Sequence, residues 1–136
     1  MHRSEQNIQT VQRILDGLVT GDLDGALAQF DPEAKWYCPD GLPEAGVHDG
    51  REGIGALFGR VRERFAGGLH LVHLTLHASG ENVYAEFTRS RGKHANGPGS
   101  EHQLAVFELV YGKVREVREF TMRWLDLKEA PPPPPA

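Results

Sequence analysis

Apolar residues recur every third or fourth position in the front half of the chain and every second position in the back half. The pattern therefore predicts helices first and strands after. Between residues 5 and 20, Ile8, Val11, Ile14, Leu15, Leu18 and Val19 share one face of a helix, which Ser4 can cap and Gly21 can end. Asp22 opens a short second helix with Leu23, Leu27 and Phe30 on one side. Asp31-Pro32 stops it, because proline disfavours helical geometry in the residue before it. Ala34 to Cys38, with Trp36 and Tyr37, reads as a strand. Residues 39–50, PDGLPEAGVHDG, read as an irregular loop. Asp49 can cap a third helix that carries Ile54, Leu57, Phe58, Val61 and Phe65 at helical spacing. Four strands follow, at 70–78, 83–91, 102–111 and 114–125, joined by turn-forming segments such as Ser79-Gly80-Glu81-Asn82.

Three helices followed by a mostly antiparallel sheet predict an α+β fold. A strongly curved sheet wrapped over helices leaves a conical pocket, the kind of concavity that takes small, largely apolar ligands. The strand at 102–111 is apolar on both faces: Leu104, Val106 and Val110 on one, Ala105, Phe107, Leu109 and Tyr111 on the other. That implies a layer beyond the helices, and a homodimer packed through the sheet is the expectation.

Composition narrows the picture. The 136 residues suit one domain, residues 1–127, followed by a proline-rich tail, 128–136, that reads as extended and disordered. Hydrophobic content of 39% supports a core, and a net charge of −4 with mixed signs argues against nucleic acid as the partner. No apolar run approaches the roughly 20 residues of a membrane helix. The N-terminus lacks the apolar core of a signal peptide, so the expected location is cytoplasmic. The single cysteine, Cys38, rules out an internal disulfide.

Residues 21–41, GDLDGALAQFDPEAKWYCPDG, resemble the corresponding stretch of ketosteroid isomerase: a Gly-Asp opening before helix two, an aromatic near its end and a Pro-x-Gly after the strand. The ending GKVREVREF resembles the last hairpin of the same superfamily, the nuclear transport factor 2-like fold, which includes SnoaL-like polyketide cyclases and limonene epoxide hydrolase. The resemblance spans roughly residues 5–125 in element order. It implies the cone fold and leaves the activity open, since the fold hosts isomerases, cyclases, hydrolases, dehydratases and non-catalytic binders. Ketosteroid isomerase needs a carboxylate base, a tyrosine and a protonated carboxylic acid. By resemblance these positions fall at Cys38, near Ile14 and near Ala105, so the chain lacks all three groups.

The candidate chemistry lies elsewhere. Arg89 extends the inward phase of Val83, Ala85 and Phe87, and by resemblance Val117, Glu119 and Thr121 face the same pocket. Glu119 is then a candidate acid or base, and Arg89 a candidate holder of an oxyanion or carboxylate. The alternation of Val114, Phe120, Met122 and Trp124 would instead turn Glu119 outward, and a bulge or a buried dimer face would reconcile the two phases. His48, in the loop that the resemblance places by the pocket mouth, is a second candidate proton carrier, oriented by Asp49 or Asp40. Trp36, Tyr37, Cys38, Phe87 and Phe107 are candidate pocket-wall residues, against the commoner use of such side chains as core. Cys38 lacks a fixed activator and reads poorly as a nucleophile. His70, His73 and His77 lie on a strand that sends them to opposite faces, so no metal site and no cofactor are expected. The leading function is binding of a small hydrophobic or carbonyl-bearing metabolite, with or without acid/base turnover of the cyclase, isomerase or dehydratase type. The rival is a non-catalytic sensing or interaction module, which the proline tail favours.

Overall fold

The computed structural model describes residues 3–66, 68–92 and 99–122. Its elements are α1 (Arg3–Thr20), α2 (Leu23–Leu27), β1 (Phe30–Cys38), β2 (Gly46–Asp49), α3 (Gly50–Arg64), β3 (His70–Ser79), β4 (Asn82–Ser90), β5 (Glu101–Val110) and β6 (Lys113–Thr121). The strands form one open sheet in the order β2-β1-β6-β5-β4-β3. Every neighbouring pair is antiparallel except β1 and β6, which run parallel. The three helices cover one face, and the fold is the expected α+β cone. No described helix is long and apolar enough to cross a membrane. The proline tail and Trp124 lie outside the described residues.

The helices form where the periodicity places them. Val11, Ile14, Leu15 and Leu18 of α1 and Ile54, Leu57, Phe58 and Val61 of α3 are buried, as the amphipathic pattern requires. Arg62 of α3 donates from Nη1 to the carbonyls of Leu18 (2.6 Å) and Val19 (2.8 Å), supplying partners for the last turn of α1 and fixing the two helices together. Asp22 caps α2 through Gly25 N–H at 3.1 Å. Two expected caps differ. Ser4 lies inside α1, and Asp49 makes no side-chain cap; it pairs with Lys35 across the β1–β2 ladder at 3.4 Å.

Three strand boundaries also differ from expectation. Phe30 opens β1 and does not close α2, so Pro32 sits where β1 shifts register against β6 between Phe30 and Lys35. The loop at 39–50 contains β2, whose pairing with β1 comes from tertiary contact and not from local propensity. Tyr111 forms the β5–β6 turn with φ +50° and is 97% exposed, so it does not join the inner face of β5.

The two phases of β6 are reconciled by a bulge. Glu108 pairs with Glu116 and Leu109 pairs with Val114, leaving Arg115 as the extra residue. Val114 before it and Val117 and Glu119 after it therefore all point inward and are buried. Phe120 is left on the outer face, 47% exposed.

Candidate functional site

The site is built where β1, β4, β5 and β6 lie side by side beneath α3. Alternation on β1 sends Trp36 and Cys38 inward and Tyr37 to the other face. Trp36 packs edge-on against Phe58 of α3 (centroids 5.4 Å apart) and Phe107 of β5 (5.6 Å), and tilted against Phe30 (6.3 Å). Its indole N–H is thereby aimed at β6, where it donates to Glu119 Oε1 at 3.0 Å.

Glu119 is 5% exposed and held by three side chains. Besides Trp36, Arg89 Nη2 donates to Oε2 at 2.7 Å and Gln103 Nε2 to the same oxygen at 2.5 Å. The Cys38 thiol lies 4.0 Å from Oε1. Each oxygen thus meets two donors, Oε2 the short contacts from Arg89 and Gln103 and Oε1 the indole N–H and the long, weak thiol contact. Gln103 is fully buried and its own Oε1 has no partner among the described residues.

Arg89 links Glu119 to a chain of charges whose most exposed member is Arg64 and whose far end, Glu44, is buried again. Its Nε donates to Glu101 Oε1 at 2.8 Å. Glu101 accepts in turn from Arg64, Nη1 to Oε2 at 2.8 Å, and Arg64 holds Glu44 with a two-pronged contact. The chain Glu44–Arg64–Glu101–Arg89–Glu119 has three carboxylates and two guanidiniums, one negative charge in excess. Burial works against charge on Arg89, but Glu119 and Glu101 outweigh it and keep the guanidinium more firmly protonated than in water. Arg64 is likewise held protonated, chiefly by its hydrogen bonds to Glu44. Burial alone would push the Glu101 carboxyl up; hydrogen bonds from Arg64 and the charge of Arg89 reverse this and leave it below the ordinary carboxylate value. Cys38 is pushed up to about 12 by burial and then by the Glu119 charge, so its thiol stays neutral and is not a nucleophile at physiological pH.

Leu18, Trp36, Cys38, Leu42, Glu44, Leu57, Phe58, Val61, Arg89 and Glu119 enclose a cavity, apolar on the helix side and charged at the β4–β6 end. About 10 Å³ of it admits a water centre, the room of one water molecule.

Of the residues singled out from the sequence, Glu119, Arg89, Trp36 and Cys38 meet at this cavity. Phe107 lies behind Trp36. Phe87 packs on the Arg89 guanidinium, 5.8 Å from ring centroid to Cζ. Neither phenylalanine is on the cavity wall. His48 pairs with Trp36 across β1–β2, yet its ring is engaged elsewhere: Nε2 meets the Glu44 carbonyl at 2.7 Å and Nδ1 meets Arg60 at 3.3 Å. Its orienting partners are these two groups and not Asp49 or Asp40. Among the described residues no group of three or more His, Cys, Asp or Glu is placed to hold a metal ion. Four partners escaped the sequence reading. Gln103 was visible as a polar residue in phase with Ala105 and Phe107, and Arg64 as the residue one turn beyond Val61. Glu44 and Glu101 carry no local signal.

The comparisons with known proteins agree with this architecture. The sequence matches the SnoaL-like domain over residues 11–117. The chain belongs to the SnoaL-like family. Among solved structures, this SnoaL-like chain is similar to Bal32a, from a soil-derived mobile gene cassette. The two are 30% identical over 88% of this chain and 92% of that one, with a TM-score of 0.77. A nuclear transport factor 2-like protein from Burkholderia xenovorans shares its fold at 23% identity and a TM-score of 0.70, over 88% of this chain and 91% of that one. TerC, co-crystallised with polyporic acid, does so at 21% identity and a TM-score of 0.70, over 86% of this chain and 92% of that one. No match was found among curated proteins.

Proposed function

We propose that this SnoaL-like protein binds a small hydrophobic or carbonyl-bearing metabolite in the Trp36–Glu119 cavity, with Glu119 as its hydrogen-bonding and proton-exchanging group. One observation carries the reading: a buried carboxylate is fixed by Trp36, Arg89 and Gln103 at the end of an apolar cavity, and its Oε1 has beside Trp36 only the long 4.0 Å thiol contact, which a ligand donor can replace. A side chain fixed in this way suits recognition of a ligand O–H or N–H, or removal of a proton next to a carbonyl. Arg89 spends Nε and Nη2 on Glu101 and Glu119, so its part is to hold Glu119 in place more than to grip an oxyanion. His48 has no place in this mechanism.

The test is a thermal-shift screen with steroids, aromatic polyketide fragments, terpene epoxides and small keto acids, repeated on Glu119→Gln. A ligand at about 100 times its dissociation constant adds roughly 2.7 kcal/mol, a shift of a few degrees at this size. Glu119→Gln is expected to weaken any hit by about tenfold or more, the worth of a hydrogen bond to a charged group. A hit that binds the variant equally well removes Glu119 from the site.

The small cavity favours a second reading, a non-catalytic module whose pocket is filled by its own side chains. We also propose that the chain dimerises through the outer sheet face. Phe120, 47% exposed, stands beside half-buried Leu104 there, with half-buried Tyr84 on the neighbouring strand, an apolar patch suited to a second copy. Size-exclusion chromatography with light scattering is expected to give twice the chain mass at micromolar concentration; a monomer removes the proposal. The lone buried thiol suits the reducing cytoplasm, the compartment we propose.

A further inference from the structure

The outer wall of the cavity is made by the chain's own β1–β2 loop. Leu42 and Glu44 both line the space, and Glu44 is only 4% exposed. Arg64 grips its carboxylate with two prongs, Nε to Oε2 at 2.6 Å and Nη2 to Oε1 at 2.7 Å. That fork is how arginine recognises carboxylates in general, including those of ligands. Arg64 stands one turn beyond Val61 on α3, at the edge of the apolar wall. Glu101 holds its other side, Nη1 at 2.8 Å and Nη2 at 3.2 Å, so the guanidinium stays oriented when Glu44 departs. The loop is compact: Ala45 N–H bonds the Leu42 carbonyl at 3.0 Å, and besides the Arg64 contact it is tied by His48 Nε2 to the Glu44 carbonyl at 2.7 Å, a bond that opening breaks. Gly41, at φ +94° with nothing within 4 Å of a Cβ position, offers a hinge on one side, and Gly46, at φ +114°, marks the other end, where the loop rejoins the sheet as the first paired residue of β2.

We infer that Leu42 and Glu44 are a built-in plug: they occupy the places of a ligand's apolar body and its carboxylate, and the cavity takes a hydrophobic carboxylic acid when the loop swings out. The inference rests on the cavity being a ligand site. Size supports it, because the cavity has the room of about one water molecule and anything larger must displace part of its lining, of which the loop is the piece not packed in a helix or the sheet. Charge supports it too. The ion chain already carries one excess negative charge, and a ligand carboxylate added to Glu44 would make two in a poorly solvated place. Exchange of one carboxylate for the other leaves the count unchanged, so acid and Glu44 compete for Arg64.

The test is calorimetric titration with 3-phenylpropanoate and 3-phenylpropanamide, on the wild type, Glu44→Gln and the double variant Glu44→Gln/Arg64→Gln. Near-UV circular dichroism checks the fold, and Glu44→Ala serves as a second plug variant. Glu44→Gln is expected to bind both probes more tightly than the wild type, because its loop opens more readily, with a gain about tenfold larger for the acid than for the amide, and the Arg64 change is expected to abolish that extra gain for the acid. If both probes bind with the same acid-to-amide ratio in wild type and Glu44→Gln, the plug is overturned and the cavity reading survives. If neither probe binds any variant, both fall.

Discussion

Replacing Arg89 by methionine is expected to cost about 3–5 kcal/mol of folding stability, because it strands a buried carboxylate. Arg89 is 3% exposed and joins Glu101 and Glu119 at 2.8 and 2.7 Å. Glu101 keeps Arg64 after the change, but Glu119 keeps only Trp36, Gln103 and the distant thiol, all uncharged. Glu119→Gln in the Arg89→Met background removes the stranded charge and is expected to recover about 1–3 kcal/mol, a coupling that urea denaturation of the four-variant cycle reads directly. Strict additivity in that cycle would mean that the pair does not interact in solution. The pair also gives a pH signature. The folded-state pKa of Glu101 lies below the ordinary 4.5, so its share of stability is fully present above pH 4.5 and is lost as pH falls through the folded value. Arg89→Met removes part of what lowers that pKa. Its stability is therefore expected to fall less steeply than that of the wild type below pH 4.5.

Trp36→Ala is expected to cost a further large amount, again about 3–5 kcal/mol, by a different route. The indole fills the space between Phe30, Phe58 and Phe107, and its removal leaves a hole that β1, pinned between β2 and β6, cannot close. For a domain with about 5–15 kcal/mol in total, the variant stands near the edge of folding. Trp36→Phe separates packing from hydrogen bonding. It keeps an aromatic ring against Phe58 and Phe107 and deletes only the donor to Glu119, for an expected cost of about 1–3 kcal/mol. Chemical denaturation of both variants decides the matter. Equal losses would mean that the hydrogen bond to Glu119, and not the aromatic packing, makes Trp36 important.

These two variants probe the same site from its charged and its apolar ends, and their contrast bears on function. A site kept only as core would tolerate replacement of the Arg89–Glu119 pair by apolar groups of similar volume, since buried ion pairs seldom repay their desolvation. A chain of five alternating charges with both ends, Glu44 and Glu119, buried in the wall of one cavity is a costly way to fill space. That cost is the physical reason for reading the cavity as a ligand site.

The helix faces, the change of period after residue 68 and the inward phase of Arg89 were legible in the sequence, because each depends on neighbours three, four or two residues away. The resemblance at residues 21–41 likewise pointed to the family. Local pattern left Glu119 undecided: apolar alternation in β6 pointed Phe120 inward, and only the bulge at Arg115 turns Glu119 to the core. The strand β2 and the true start of β1 at Phe30 also escaped, since both exist through pairing with partners distant in the chain. Glu44, Arg64 and Glu101 are scattered over a loop, a helix end and a strand end. Nothing in their spacing announces that they meet. Periodicity by itself determined which faces are apolar. The tertiary structure decided which charges lie beneath them, because a buried ion network is fixed by distances between elements, and those are set only when the sheet and helices close on one another.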